Sequence, residues 1–499
     1  MKTEILPYSQ TRSFVTVWMI ELWERFGYYG MQALIVYFMV QRMGFEDTRA
    51  NLVWGAAAAL IYVAPAIGGW IGDKVLGTRR SMLLGAIILS LGYALMAVPT
   101  TNTWFLFSAL GVIVVGNGLF KPNTANLVRK IYEGDDSKID SAFTMYYMAV
   151  NVGSTFSMLA TPAIKDYFNA SHGNEIGWHI AYGVCAVGLV IGIFTLLMMR
   201  ATIRHVGSLP DERPLDMGKL AMVLGGGVVA VGLSAVILQY QSIARVFVYL
   251  AGVVVLGIFV HLIRKSEPSE RAGLIAALVL TLQTVFFFIF YQQMSTSLSL
   301  FALRNVDLEF NVLGAHLWTW SPGQFQALNA IWIMVLSPVL AVIYTRAGRS
   351  GKDLSIAGKF ALGFMVVAAG FFTYGFAGSF AVNGLTSSWI MIAGYGLYSL
   401  GELLVSGLGL AMVARYVPAR MGGFMMGAYF VATGISQYLG GVVANYASVP
   451  QGMTDPLQTL PIYTSLFNKL GIAAVICTLI ALSVLPLMRK LTATHHAHQ

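Results

Sequence analysis

The stretch Gly207 to Lys219, "GSLPDERPLDMGK", is a polar passage between apolar runs, and its reading decides the fold. Taken as the entrance to an insert over about 200–270, it leads into two apolar helices that carry no membrane-embedded charge. Setting that insert aside leaves six apolar helices before it and six after. The chain is therefore expected to be two six-helix bundles, 1–200 and 271–499 with its cytoplasmic tail, joined by a two-helix insert over 201–270.

Composition supports a membrane setting for all of it. Of 499 residues, 57% are hydrophobic and 11% charged, and the mean hydropathy is +0.70, too apolar for a chain with a polar surface. The apolar runs approach the roughly 20 residues a helix needs to cross about 30 Å of hydrocarbon. They divide into fourteen transmembrane helices, near 14–41, 51–72, 80–100, 103–128, 139–163, 177–199, 219–240, 243–263, 272–302, 324–345, 356–379, 386–414, 422–448 and 462–487. The expected fold class is an all-α polytopic membrane protein. The first apolar run carries charges and lacks a clear cleavage site, so it reads as a retained helix and not a signal peptide. Cys185 and Cys477 lie in apolar spans without ligand spacing and read as packing residues, with no metal site. The C-terminal "HHAHQ" reads as a solvated tail.

The net charge of +9 is informative through its distribution. About 23 of the 31 Lys and Arg residues fall on the side that holds both termini, which places that side in the cytoplasm. This distribution fits a multi-pass membrane protein surrounded by lipid, with both termini cytoplasmic, and gives no reason to expect nucleic acid as a partner.

Five charges lie well inside helices: Glu21, Glu24 and Arg25 in "ELWERFGYYG", Lys121 in "VGNGLFKPN", and Glu402 in "SLGELLVSGLGLAMVA". Each costs at least about 2.5–3.5 kcal/mol when facing lipid at the bilayer centre, so each is expected to face a wet cavity or another charge. On a helix, Glu21, Arg25, Tyr28 and Gln32 fall within roughly 60° of arc, with Glu24 about 60° to one side. One carboxylate exceeds what Arg25 can neutralise, and it needs a proton or a second cation. That makes Glu21 and Glu24 candidate proton carriers; a static packing cluster is the alternative.

Gly116 and Gly118 allow close helix approach around Lys121, and Pro122 frees a backbone carbonyl. Glu402 supplies an acidic pole in the second bundle, against the basic-capable Arg25 and Lys121 in the first. A ligand matching those poles is zwitterionic. Asn151 and Asn329 are embedded amides, suited to directed hydrogen bonds or to helix packing. Tyr28, Tyr29, Tyr37 and Tyr62 offer flat apolar bodies with a hydroxyl. The turn "GGWIGDKVLGTRR", with Gly69, Asp73, Lys74, Arg79 and Arg80, reads as a gate latch in which Asp73 pairs across the interface and caps a helix N-terminus in one state only, or as an ordinary charged turn.

These same segments carry a resemblance. "GGWIGDKVLGTRR" resembles the loop 2–3 signature of the major facilitator superfamily. "ELWERFGYYG" closely resembles the ExxERFxYYG motif of the superfamily's proton-dependent oligopeptide transporter branch. "GNGLFKPN", "FTMYYMAVNVGS", "FQALNAIW" and "GELLVSGLGLAMV" are similar to that branch's motifs on helices 4, 5, 8 and 10, and the insert resembles the two extra helices of bacterial members.

The resemblance implies the major facilitator fold and roles residue by residue. Glu21, Glu24, Arg25 and Lys121 would couple protons. Arg25 and Lys121 would also hold the peptide's carboxyl end. Glu402, Asn151 and Asn329 would hold the amino end, while Tyr28, Tyr37 and Tyr62 line the pocket with Gln292, Ser406 and Tyr429 as further substrate contacts. Many members carry a glutamate where Gln292 stands, a second basic residue where Gln32 stands, and a tryptophan where Tyr429 stands. With Gln292 in that place, Lys121 is expected to turn to Glu21 or Glu24.

The expectation is a proton-coupled symporter importing dipeptides and tripeptides by alternating access, open also to peptide-like drugs. It is not an enzyme, uses no cofactor beyond the coupling proton, and works as a monomer. A proton-coupled drug or small-solute exporter on the same fold is the rival, but such a pocket needs no paired acidic and basic poles.

Overall fold

In lipid every backbone N–H and C=O must find its partner within the segment, which makes long helices the outcome for apolar runs of this length. The computed structural model describes residues 8–173, 175–405 and 416–497. Fifteen α-helices occupy them: α1 Gln10–Tyr37, α2 Asp47–Lys74, α3 Thr78–Met96, α4 Thr103–Ile131, α5 Asp136–His172, α6 Ile176–Met199, α7 Met217–Gln239, α8 Gln241–Lys265, α9 Pro268–Tyr291, α10 Ser297–Asn305, α11 Ala327–Arg349, α12 Ile356–Ala377, α13 Ser388–Val405, α14 Gly422–Ala444 and α15 Pro456–Ala497. Eleven candidate spans among the described residues are long and apolar enough to cross a membrane; α1, with its three central charges, is not among them. Several helices begin where polar side chains take up first-turn amides. Ser9 accepts from Arg12, Asn102 from Phe105, and Asp216 from Gly218 and Lys219.

Two departures from the expected elements have local causes. The run expected as one helix over 272–302 is interrupted by the 3-10 turn Gln292–Ser295, so α9 and α10 are separate pieces. Side chains hold the break: Gln293 donates to the Ile289 and Gly440 carbonyls, Ser297 donates to Gln293, and Thr296 donates back to the Gln292 carbonyl. Between α10 and α11, where a loop was expected, β1 (Glu309–Val312) pairs antiparallel with β2 (Ala315–Thr319). Leu313 and Gly314, both at positive φ, form its two-residue turn. Phe310 stacks on Trp318 at 4.8 Å and meets the edge of Trp389 at 5.3 Å, which anchors the hairpin.

The chain forms two compact units, 1–38 with 60–240 and 39–59 with 241–499. The insert divides between them, α7 in the first and α8 in the second. In the first unit α1 packs on α5 and α6, α3 on α4 and α6, and α7 on α4. In the second, α12 packs on α13 and α15, α9 on α14 and α15, and α8 on α14 and α9. α7 buries only Ser234, Ala235 and Leu238, and α8 only Ala244, Val255 and Phe259. Many of their other apolar side chains, such as Val228 and Val253, are exposed, as a lipid-facing surface requires.

Candidate functional site

In the first unit the polar face of α1 turns inward. Glu21 and Glu24 are fully buried and Arg25 nearly so. Arg25 grips Glu24 with two donors, Nη2 standing 2.7 Å from Oε1 and Nε bonding Oε2. The same Nη2 reaches Asn117 Oδ1 at 3.1 Å, and Asn117 donates in turn to the Ile61 carbonyl. The guanidinium lies over the Tyr28 ring, 4.6 Å from its centre, and 5.6 Å from that of Tyr29.

Lys121 on α4 donates to Glu21 Oε1 at 3.0 Å, and Arg25 Nε stands 3.8 Å from the same oxygen. Two acids and two bases thus form two pairs, and the carboxylate in excess of Arg25 is matched by Lys121. Glu21 Oε2 is buried without a hydrogen-bond partner among the described residues. When all four groups are ionised the charges of the cluster balance.

Close backbone approach makes this possible. A Cβ on Gly116 would stand 2.7 Å from the Leu89 nitrogen, and one on Gly118 would stand 2.8 Å from Ala64 Cβ, so α4 sits tightly against α3 and α2 just ahead of Lys121. Tyr28 and Tyr37 are buried and Tyr62 half-buried. Asn151 is buried with its amide nitrogen turned back to the Tyr147 carbonyl of its own helix, 2.9 Å away.

In the second unit Glu402 on α13 accepts from Asn329 Nδ2 on α11 at 2.7 Å, and the same nitrogen meets Ser399 Oγ at 3.0 Å. Gln292 lies in the break after α9, against Gly440 of α14, with its Nε2 buried and unpartnered among the described residues. Tyr429 is buried on α14. Ser406, and the end of the helix expected over 386–414, lie outside the described residues.

The turn between α2 and α3 is held from several directions. Asp73 is exposed, accepts from Asn126 at 2.9 Å and stands 3.9 Å from Lys130. It caps no helix. The first turn of α3 is capped instead by Ser208 and Asp211, which also engage Arg79 and Arg80. Gly69 is half-buried and Lys74 exposed.

Sequence reasoning missed Asp211, Asn117 and the pair Asp47–Arg304. Arg304 on α10 holds both oxygens of Asp47 at 2.5 and 2.8 Å and also donates to the Tyr463 hydroxyl. Asp47 further accepts from the Val449 amide. The "SLPD" spacing is a capping-box signal that could have flagged Asp211.

The PTR2 model, described as the POT family, matches residues 79–461. The chain is 42% identical to dipeptide and tripeptide permease B of Edwardsiella piscicida over 487 residues, covering 97% of this chain and 96% of the relative. It is 41% identical to dipeptide and tripeptide permease B of Salmonella typhimurium over 491 residues, covering 98% of each. Among solved structures, tetrameric PepTSo2 superposes with a TM-score of 0.90 at 71% identity, covering 97% of this chain and 99% of that one. A bacterial homologue of the human drug peptide transporters PepT1 and PepT2 superposes with a TM-score of 0.89 at 72% identity, covering 97% and 100%.

Proposed function

The chain belongs to the POT family of peptide transporters, with the major facilitator fold and no enzymatic role, and from that premise we propose that it is a proton-coupled symporter importing dipeptides and tripeptides by alternating access. It is a multi-pass bacterial membrane protein. In this reading it sits in the inner membrane with both termini cytoplasmic, and needs no cofactor besides the proton. One chain is its working unit, although one relative's structure is of a tetramer.

The observation that carries the reading is the quartet of the buried Glu21, Glu24 and Arg25 with the half-buried Lys121, paired as Lys121–Glu21 and Arg25–Glu24. A buried carboxylate whose counter-cation is also a ligand for a substrate carboxylate links the two events. Protonation of Glu21 or Glu24 loosens its cation, and a peptide carboxylate takes that cation up. The chemistry of Arg25 and Lys121 suits a carboxylate and that of the Glu402–Asn329 pair suits an ammonium, the two charged ends of a peptide. Each proton moved down 100 mV releases about 2.3 kcal/mol, worth roughly a 50-fold peptide gradient.

The test is competition with terminally blocked peptides. Dialanine is expected to bind, while its N-acetylated and C-amidated forms each bind at least about tenfold more weakly, the cost of one charge-assisted hydrogen bond. Equal binding of all three would contradict the assignment.

A further inference from the structure

The connector between α6 and α7 does more than lead into the insert. Ser208 Oγ accepts from the Thr78 amide at 3.1 Å and donates to the Gly72 carbonyl at 2.7 Å, so it touches the last turns of α2 and the first residue of α3. The Asp211 carboxylate accepts from the amides of Arg79 at 3.2 Å and Arg80 at 3.4 Å, and from Ser208 within its own turn at 3.0 Å. Three first-turn amides of α3 are therefore satisfied from a segment more than a hundred residues downstream.

Side chains from the turn reach back. Arg80 donates to the Pro210 carbonyl at 2.9 Å and to the Arg213 carbonyl at 2.5 Å, and Arg79 donates to the Asp211 carbonyl. Lys130, which faces Asp73 at 3.9 Å, donates to the Gly207 carbonyl at 3.0 Å. Both Ser208 and Asp211 are buried.

The fit is close enough to constrain the turn. Gly77 holds φ at +106°, and a Cβ there would stand 2.2 Å from Asp211 Oδ1; a Cβ on Gly207 would stand 2.5 Å from Oδ2. At its other end the connector is fastened to α1, where Ser13 donates to the Thr202 carbonyl and Thr16 shares a hydrogen bond with the Thr202 hydroxyl.

We propose that the 200–213 connector is a clamp that sets the conformation of the α2–α3 turn, with Asp211 as the positioning residue through which it acts on transport. This rests on the reading of that turn as a gate element of a peptide transporter. A carboxylate is suited to the task because it accepts from several backbone amides at once at the positive end of a helix dipole, and the buried setting excludes competing water. Loosening the clamp leaves the charge quartet and the Glu402–Asn329 pair intact, so it slows the cycle without weakening the substrate's hold.

The experiment compares wild type with Asp211→Ala and Asp211→Asn, with Glu212→Gln at the exposed neighbour as control. Hydrogen–deuterium exchange at residues 77–81, the Kd for dialanine, and proton-driven uptake in liposomes per folded molecule are measured together. Asp211→Ala is expected to exchange about tenfold faster at those amides and to lose turnover by a similar factor at unchanged Kd; Asp211→Asn should fall between, and the control should match wild type. Unchanged exchange overturns the clamp. Faster exchange with normal turnover reduces Asp211 to a local cap and overturns its role in transport. A wild type that moves no peptide would refute the functional reading separately, and the exchange measurement would still decide the clamp.

Discussion

Lys121 and Glu21, one hundred residues apart in the chain, meet at 3.0 Å, and Glu21 is fully buried where they meet. The pair takes up the carboxylate that Arg25 leaves unmatched, because Arg25 is committed to Glu24 and Asn117. Charge balance around Glu21 therefore depends on Lys121.

Breaking the pair from either side should stop coupling. Lys121→Ala and Glu21→Gln are each expected to cut proton-driven dialanine uptake at least about 100-fold, while the double variant regains thermal stability relative to Lys121→Ala, because no unpaired buried carboxylate remains. A coupling energy of about 1–3 kcal/mol in a double-mutant cycle on unfolding is the expected size.

Arg25→Lys should be as damaging as a non-conservative change. An ammonium cannot hold both oxygens of Glu24 and the Asn117 carbonyl in the geometry of a guanidinium. Uptake is expected to be lost with the protein still folded, as judged by its melting profile in detergent.

Asn329→Ala removes the donor that orients Glu402, and Glu402→Gln removes the charge. Each is expected to raise the KM for dialanine about 10- to 100-fold, and to have much less effect on binding of N-acetylated dialanine, which carries no ammonium. Parallel losses for both peptides would argue that Glu402 holds the helices and not the substrate.

Asp47→Asn should lower stability. It weakens the two-pronged contact with Arg304 and the bond from Val449, which tie the start of α2 to α10 and to the segment after α14 in the second unit. With Arg304 partly exposed, the expected loss is about 1–3 kcal/mol, read as a fall in unfolding temperature.

Burial and the neighbouring Arg79 hold the His205 imidazole below its ordinary value. The folded state thus resists a proton that the unfolded chain accepts. Its contribution is fully present above the unfolded value of about 6.5 and is lost as pH falls below it. His205→Gln should therefore flatten the fall of unfolding temperature in mild acid, by a small amount because the ring is largely exposed.

What could be seen in the sequence follows from what a membrane penalises. Apolar runs of crossing length can hardly be anything but helices, and charges such as Glu21 and Glu402 stand out because burying them needs a reason. The break at Gln292–Ser295 was hidden because its freed backbone groups are answered by Gln293 and by Gly440, far along the chain. Asp211 was hidden for a related reason. Its partners are backbone amides 131 and 132 residues away, and a backbone amide has no letter of its own in a sequence. The Asp47–Arg304 pair spans 257 residues, and neither member lies deep enough in an apolar run to demand a partner.

The central claim is that the quartet around Glu21 couples a proton to a peptide. Dialanine uptake by reconstituted liposomes under an imposed inward proton gradient, with and without an ionophore that collapses it, tests this most directly. The account predicts accumulation above the outside concentration that disappears with the ionophore and is absent in Lys121→Ala. Accumulation that survives collapse of the gradient, or that Lys121→Ala leaves intact, would contradict it.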